Sequence, residues 1–293
     1  MIQEKPLTQS IDVRHADAIR RMLGEPTAEI CDHSIGSIFM WRDALDTKLI
    51  QDGAFCLAEH YKGRTYFALR ATDPDFLLRI RNLYRTFGAP LYLCSLTETE
   101  LELLKSEFGS RFSYSGEDGA ADYIYDAEAL RSFTGKKYHS QKNHLNAFLR
   151  SYPDYSFTAY NPKDQDAIAD FFNEYEESAA DSTESAKKET QACLRLLPML
   201  GDLPLDARIL RIGEKVAGFV VMEQIGDTLM IHIEKGLAEF RGVYPMLVRL
   251  EALAYPEARY INREEDDGNE GLRRSKRSYH PIFLKQKYLG CIL

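Results

Sequence analysis

The stretch Met230-Ile231-His232-Ile233-Glu234-Lys235-Gly236 alternates polar and apolar residues. On a β-strand this spacing puts Met230, His232 and Glu234 on one face and Ile231 and Ile233 on the other. A His or Glu on a strand that borders a cleft can serve as a general base toward an amine nucleophile, given a pKa near the working pH. The same two residues also read as a satisfied, partly buried His–Glu pair with a structural role, and both readings stay open.

A second cluster runs from Ile261 to Pro281. Four acids, Glu264 to Asp267, are followed within ten positions by Arg273, Arg274, Lys276 and Arg277, then by Ser278-Tyr279-His280-Pro281. Part of this order follows from helix electrostatics. Asp267-Gly268-Asn269 supplies helix-start residues, and Asp266, Asp267 and Glu270 lie where the helix dipole favours negative charge. Glu270 and Arg274 are spaced as a supporting pair, Leu272 is expected to face the core, and Pro281 stops the helix. A third cluster, Lys136, Lys137 and Lys142, lies in a segment from Arg131 to Arg150 that carries five bases and no acid. Gly271 to Leu293 likewise carries six bases and no acid, although the whole chain has a net charge of −8. A generic polyanion binder is disfavoured by the total, whereas an anion at a local basic surface is compatible with the distribution.

Other chemistries lack their residues. His139 and His144 are five apart, there is no H-E-x-x-H, and His15, His33 and His60 have no clustered partners, so no metal site is expected. There is no G-x-S-x-G elbow and no phosphate-binding G-x-x-x-x-G-K-[ST] loop. The five cysteines are scattered, odd in number and never spaced C-x-x-C, which predicts reduced, mostly buried thiols. No apolar run approaches the length of a membrane helix, and the first residues lack the features of a signal peptide, so a cytoplasmic location is expected.

The elements that must position these residues alternate along the chain. Periodicity predicts helices over 11–23, 74–87 and 97–108, the last opened by a Thr97/Glu100 capping box. Strands are predicted over 54–59, 65–70, 91–95 and 121–126. The second half repeats this grammar. A basic helix over 136–151 precedes a strand at 155–159, and helices follow at 163–177 and 184–197. Strands at 207–212, 216–224 and 227–233 lead to a helix at 242–254, a short strand at 260–262 and a helix at 269–278. This order is that of an N-acetyltransferase-like fold, approximated twice. The expected class is therefore α/β, with two tandem GNAT-like domains of mixed sheets flanked by helices. The boundary is placed near Ser132-Phe133-Thr134-Gly135, giving domains 1–133 and 134–293, the second carrying the site.

In that fold the turn Glu239-Phe240-Arg241-Gly242-Val243-Tyr244-Pro245 corresponds to the R/Q-x-x-G-x-G/A loop, whose helix-start amides receive the pyrophosphate of acyl-CoA. Arg241 and Gly242 are candidates to meet an anion. Tyr244 replaces the second glycine and Pro245 removes an amide, so acyl-CoA is a secondary cofactor expectation.

The chain also resembles a bacterial family related to the soluble C-terminal domain of lysylphosphatidylglycerol synthases. The residues that carry the likeness are Asn262-Arg263-Glu264-Glu265-Asp266, Gly268, Glu270-Gly271-Leu272-Arg273, Lys276, Ser278-Tyr279-His280-Pro281 and Lys287-Tyr288. His232-Ile233-Glu234-Lys235, the helix with Lys137, Lys142-Asn143-His144, and Phe39-Met40-Trp41-Arg42 add to it. The resemblance implies two tandem acetyltransferase-like domains and an aminoacyl-tRNA-dependent transferase whose acceptor is an amine or hydroxyl of a small molecule, peptide or lipid precursor. Lys276 matches the lysine of the family's G-L-x-x-x-K-x-x-[FY]-x-P pattern, where a cation would meet a phosphate or the developing oxyanion. Arg273 and Arg274 would clamp a phosphate, with Tyr279 beside them. Glu264 and Glu265 would hold an α-ammonium. Lys136, Lys137 and Lys142 would contact tRNA phosphates. A CoA-dependent N-acyltransferase and a non-catalytic module binding a small ligand or peptide are the alternatives.

Overall fold

The computed structural model describes residues 8–24, 30–51, 56–116, 119–178 and 184–293. The predicted strand over 54–59 thus begins outside the described residues. Two compact units emerge: unit 1 holds residues 1–122, 265–268 and 285–293, and unit 2 holds residues 123–264 and 269–284. The expected boundary at Ser132–Gly135 lies inside unit 2. Element order could not reveal which sheet a strand would join.

Unit 1 begins with β1 (Thr8–Ser10), α1 (Ala16–Leu23), α2 (Ile35–Trp41) and the strands β2 (Lys48–Ile50), β3 (Cys56–Tyr61) and β4 (Arg64–Ala68). It continues through α3 (Phe76–Phe87), β5 (Leu91–Leu96), α4 (Glu98–Phe108) and β6 (Phe112–Gly116). The predicted helix over 11–23 is split, because Asp12 caps a 3-10 turn at Val13–His15 before α1 starts. The capping box of α4 is present: Thr97 N–H and hydroxyl both donate to Glu100, which also accepts from Ala71 N–H at 2.8 Å.

Unit 2 contains β7 (Asp122–Asp126) apart from its first residue, which counts with unit 1, then α5 (Ala127–Ser132), α6 (His139–Ser151), β8 (Tyr155–Ala159), α7 (Gln165–Ser178) and α8 (Glu184–Leu196). Then come β9 (Asp206–Ile212), β10 (Lys215–Ile225), β11 (Thr228–Gly236), α9 (Val243–Ala254), β12 (Tyr260–Asn262), α10 (Glu270–Ser278) and β13 (Phe283–Lys285). The last strand, β14 (Tyr288–Ile292), belongs to unit 1.

The sheets share one plan. The first is ordered β1-β2-β3-β4-β5-β14-β6 and the second β8-β9-β10-β11-β12-β7-β13. In each, the fourth and fifth strands run parallel across a helical crossover, α3 in one and α9 in the other. In each, the sixth strand comes from elsewhere in the chain. β14 enters antiparallel between β5 and β6, and β7 lies beside β12. The two halves thus repeat the plan with their sixth strands exchanged. The apolar faces of β4 and β5 close on α3 and α4 in one core. Those of β10, β11 and β12 close on α5, α6 and α9 in the other.

Candidate functional site

β11 carries both His232 and Glu234, with the expected alternation interrupted at His232, where Val221 and Met222 pair with Ile233 and Ile231, and the structure gives each of the two a partner that the strand alone did not reveal. The His232 side chain is 0% exposed, with Nδ1 2.9 Å from Glu264 Oε1 and Nε2 3.2 Å from Glu223 Oε2. Burial opposes charging the imidazole. The hydrogen bonds and charges of Glu223 and Glu264 together outweigh it and raise the pKa from 6.5 to about 9. At neutral pH both ring nitrogens therefore donate.

Two residues further on, Glu234 accepts a bidentate pair from Arg263, with Nη2 to Oε1 at 2.8 Å and Nε to Oε2 at 3.0 Å. The guanidinium also lies over the Tyr279 ring at 4.7 Å and the Tyr125 ring at 5.7 Å. Glu251 of α9 completes the cluster. Its side chain is 0% exposed and neither carboxyl oxygen has a hydrogen-bond partner; Arg263 Nη1 is unpartnered too. Burial, and then the charge of Glu234, push the Glu251 carboxyl well above the usual carboxylate range, so it is protonated.

Lys276 is 8% exposed on α10. Its ammonium donates to the Arg263 carbonyl and stands 5.8 Å over the Tyr123 ring. The Tyr125 hydroxyl in turn donates to the Lys276 carbonyl at 2.8 Å. Lys276 is thereby brought to the strand segment that carries Arg263 and Glu264. Leu272, expected in the core, is 41% exposed instead. The inward stripe of this nine-residue helix is taken by Lys276, followed by buried Tyr279. Glu270 lies 3.5 Å from Arg273 and not from the expected Arg274, which is exposed. Asn269 caps the helix, accepting from Leu272 N–H at 2.9 Å.

Three of the four acids have separate tasks. Glu264, at φ 56°, turns its carboxylate to His232 in unit 2, while Glu265 lies 2.7 Å from Lys287 in unit 1. Asp266 accepts from Gly268 N–H at 2.9 Å and closes the turn.

A cleft of about 570 Å³ opens in unit 2. Its walls include Lys137 and His144 of the α6 segment, Gly242 and Tyr244 at the start of α9, and Tyr279 and His280 after α10. The Arg263 guanidinium, stacked on the Tyr279 ring at 4.7 Å, sets the Glu234–Arg263–Glu251 cluster behind this part of the wall. Gly242 has φ 87°, and a Cβ there would stand 2.2 Å from the His144 carbonyl oxygen, so only glycine lets α6 and α9 meet. At the same turn Val243 N–H already donates to Phe240 O at 3.0 Å, and Pro245 has no N–H. Two first-turn donors are thereby withheld from an anion. Arg241, Lys136, Lys137 and Lys142 are exposed. Gln141 reaches Ser278 O at 2.7 Å and His280 reaches Lys137 O at 2.9 Å, which ties the basic start of α6 to the end of α10.

Arg263, Glu223 and Glu251 were missed as site residues. Glu251 left a legible signal, an acid one turn after Leu247 on the apolar face of a helix. Glu223 left none, since its partner lies across a hairpin displaced by a bulge between Val221 and Met222.

Residues 27–291 match the family described as phosphatidylglycerol lysyltransferase, C-terminal, and the chain belongs to that family. It is similar to an uncharacterized protein of Mycoplasmoides gallisepticum, 25% identical over 202 residues, a match spanning 68% of this chain and 64% of that relative's length. A conserved protein of unknown function from Bacteroides thetaiotaomicron superposes with a TM-score of 0.88 at 26% identity, covering 98% of this chain and 100% of that one. L-PGS from Bacillus licheniformis superposes with a TM-score of 0.66 at 14% identity, covering 99% of this chain and 93% of that one. The fold is of the expected α/β class, two mixed sheets flanked by helices. Among the described residues, no helix is long and apolar enough to cross a membrane.

Proposed function

We propose that the chain transfers an aminoacyl group from aminoacyl-tRNA to an amine or hydroxyl acceptor, which is a small molecule, a peptide or a lipid precursor. The observation that carries this reading is the unit 2 cleft, with a basic rim outside and the Glu234–Arg263–Glu251 cluster behind its tyrosine wall. The family match and the likeness to L-PGS support the same reaction class.

In this reading the aminoacyl ester lies in the cleft, while Lys137 and Lys142 of the α6 segment meet backbone phosphates of the donor. The acceptor attacks the ester carbon, its proton passes to Glu234, and the ribose oxygen leaves as a hydroxyl by taking up that proton. Arg263 orients Glu234 through its bidentate pair of hydrogen bonds. His232, protonated between two carboxylates, positions Glu264, whose second oxygen is a candidate partner for the donor's α-ammonium. Lys276 positions Arg263 through its carbonyl, and Arg273 and Arg274 add positive potential on α10.

Filter binding of charged and uncharged tRNA across a salt series tests the proposal. Charged tRNA is expected to bind more tightly, with affinity falling steeply as salt rises. Lys137→Ala and Lys142→Ala should each reduce the slope of log affinity on log salt by about 1. Equal retention of both tRNAs, together with a melting temperature raised by acetyl-CoA, would refute tRNA as donor and favour a CoA-dependent N-acyltransferase.

A further inference from the structure

Unit 1 holds a cluster that the transfer reaction does not use. The Lys287 ammonium lies 2.9 Å from Asp32, 3.0 Å from Asp122 and 2.7 Å from Glu265. It is also 3.1 Å from the Cys31 sulfur. Cys31 is 2% exposed, and its backbone N–H is held by Asp122 at 2.6 Å. Its Sγ lies 3.4 Å from Glu265 and 3.5 Å from Asp122. Sulfur and nitrogen are thus at contact distance, with both chains anchored. The Lys287 ammonium lies among the same carboxylates and sulfur that are spaced closely enough to ligate a metal ion. Cys31 opens a 3-10 turn at Cys31–His33 ahead of α2, and Lys287 immediately precedes β14. Asp32 and Glu265, each about one-third exposed, form the outer side of the cluster.

We infer that Cys31 and Lys287 form a peroxide-responsive covalent sulfur–nitrogen cross-link. The Lys287 ammonium, 3.1 Å from Sγ, offers a thiolate its counter-charge, while Asp32, Asp122 and Glu265 face the sulfur as acceptors for the thiol proton; the thiolate is the form that peroxide oxidises. In the first step the thiol and hydrogen peroxide give the sulfenic acid and one water; sulfur is oxidised and the peroxide oxygen is reduced. In the second, the Lys287 nitrogen passes a proton to a neighbouring carboxylate and attacks the sulfenic sulfur. The S–O bond breaks, an S–N bond forms, and a second water leaves with the remaining nitrogen-bound proton. The product is a sulfenamide, which a thiol reductant reverses. It ties the segment before α2 to the base of the inserted strand β14. It also removes the cation that balances three carboxylates.

The test is peptide mapping of the full-length protein after hydrogen peroxide treatment, without reduction. The expected product joins the Cys31 and Lys287 peptides at two hydrogens below their summed mass. It should disappear with dithiothreitol, and Lys287 should be shielded from an amine-acylating reagent until then. Cys31→Ser should abolish it, and Lys287→Arg, which keeps the charge but lacks the primary amine, should leave Cys31 to climb to sulfinic acid. The wild-type map decides the matter even if a variant fails to fold. Cys31 recovered as free thiol, as a disulfide or as uncoupled sulfinic acid overturns the inference. So does a cross-link that retains an oxygen, which would exclude the condensation step.

Discussion

His232 should make the protein lose stability in the alkaline range. Its pKa rises from 6.5 to about 9 in the folded state because Glu223 and Glu264 face both ring nitrogens. A raised folded pKa stabilises fully below the unfolded value, and that stability is lost as pH climbs through the folded value. The interval corresponds to about 3 kcal/mol, present at about pH 6 and gone at about pH 10. The perturbation is His232→Gln, which keeps a donor toward one carboxylate and does not titrate. Urea unfolding of both proteins across that range gives the difference directly. The wild type should lose about 3 kcal/mol more than the variant, with the steepest loss between the two pKa values. An NMR titration of the imidazole should give a midpoint near the raised value. A wild-type curve parallel to that of the variant, or an imidazole that titrates at its ordinary pKa, would refute the doubly paired histidine.

Glu251→Gln should be close to neutral in thermal unfolding, because the buried carboxyl is already protonated; Glu234→Gln should cost about 3–5 kcal/mol by stranding Arg263. Near-equal effects of the two would show that the acids are not differentiated. Gly242→Ala should destabilise by more than about 3 kcal/mol, since a positive φ and a clash with the His144 carbonyl add together; a melting temperature within a degree or two of wild type would contradict that close approach. Lys276→Ala should lower stability by about 1–3 kcal/mol through the orphaned Arg263 carbonyl, and Lys276→Met should recover little of it. Full recovery by methionine would assign Lys276 to packing alone.

Local patterns were legible in the sequence wherever one segment decided them. The strands at 155–159 and 260–262 have their predicted bounds, and α9, α10 and the box at Thr97 follow from periodicity and capping. β14 and the Cys31–Lys287 contact were not legible, because each depends on residues hundreds of positions apart that no local period links. The reversed role of Leu272 has a similar cause: on a short helix, an inward lysine with a carbonyl to meet outweighs one leucine. His232 and Glu234 both lie on β11, but the register shift between Val221 and Met222 interrupts the expected alternation at His232, and the partners Glu223, Glu264 and Arg263 arrive by pairing across the sheet.

The strands at 91–96 and 112–116 cannot finish their own sheet. β5 and β6 leave the ribosome with a strand-wide gap between them, and only residues 288–292 fill it. Unit 1, though made first, therefore completes its ladder last, and until then presents two unpaired edges to other chains. Clipping the final residues should accordingly harm the beginning of the molecule more than its end.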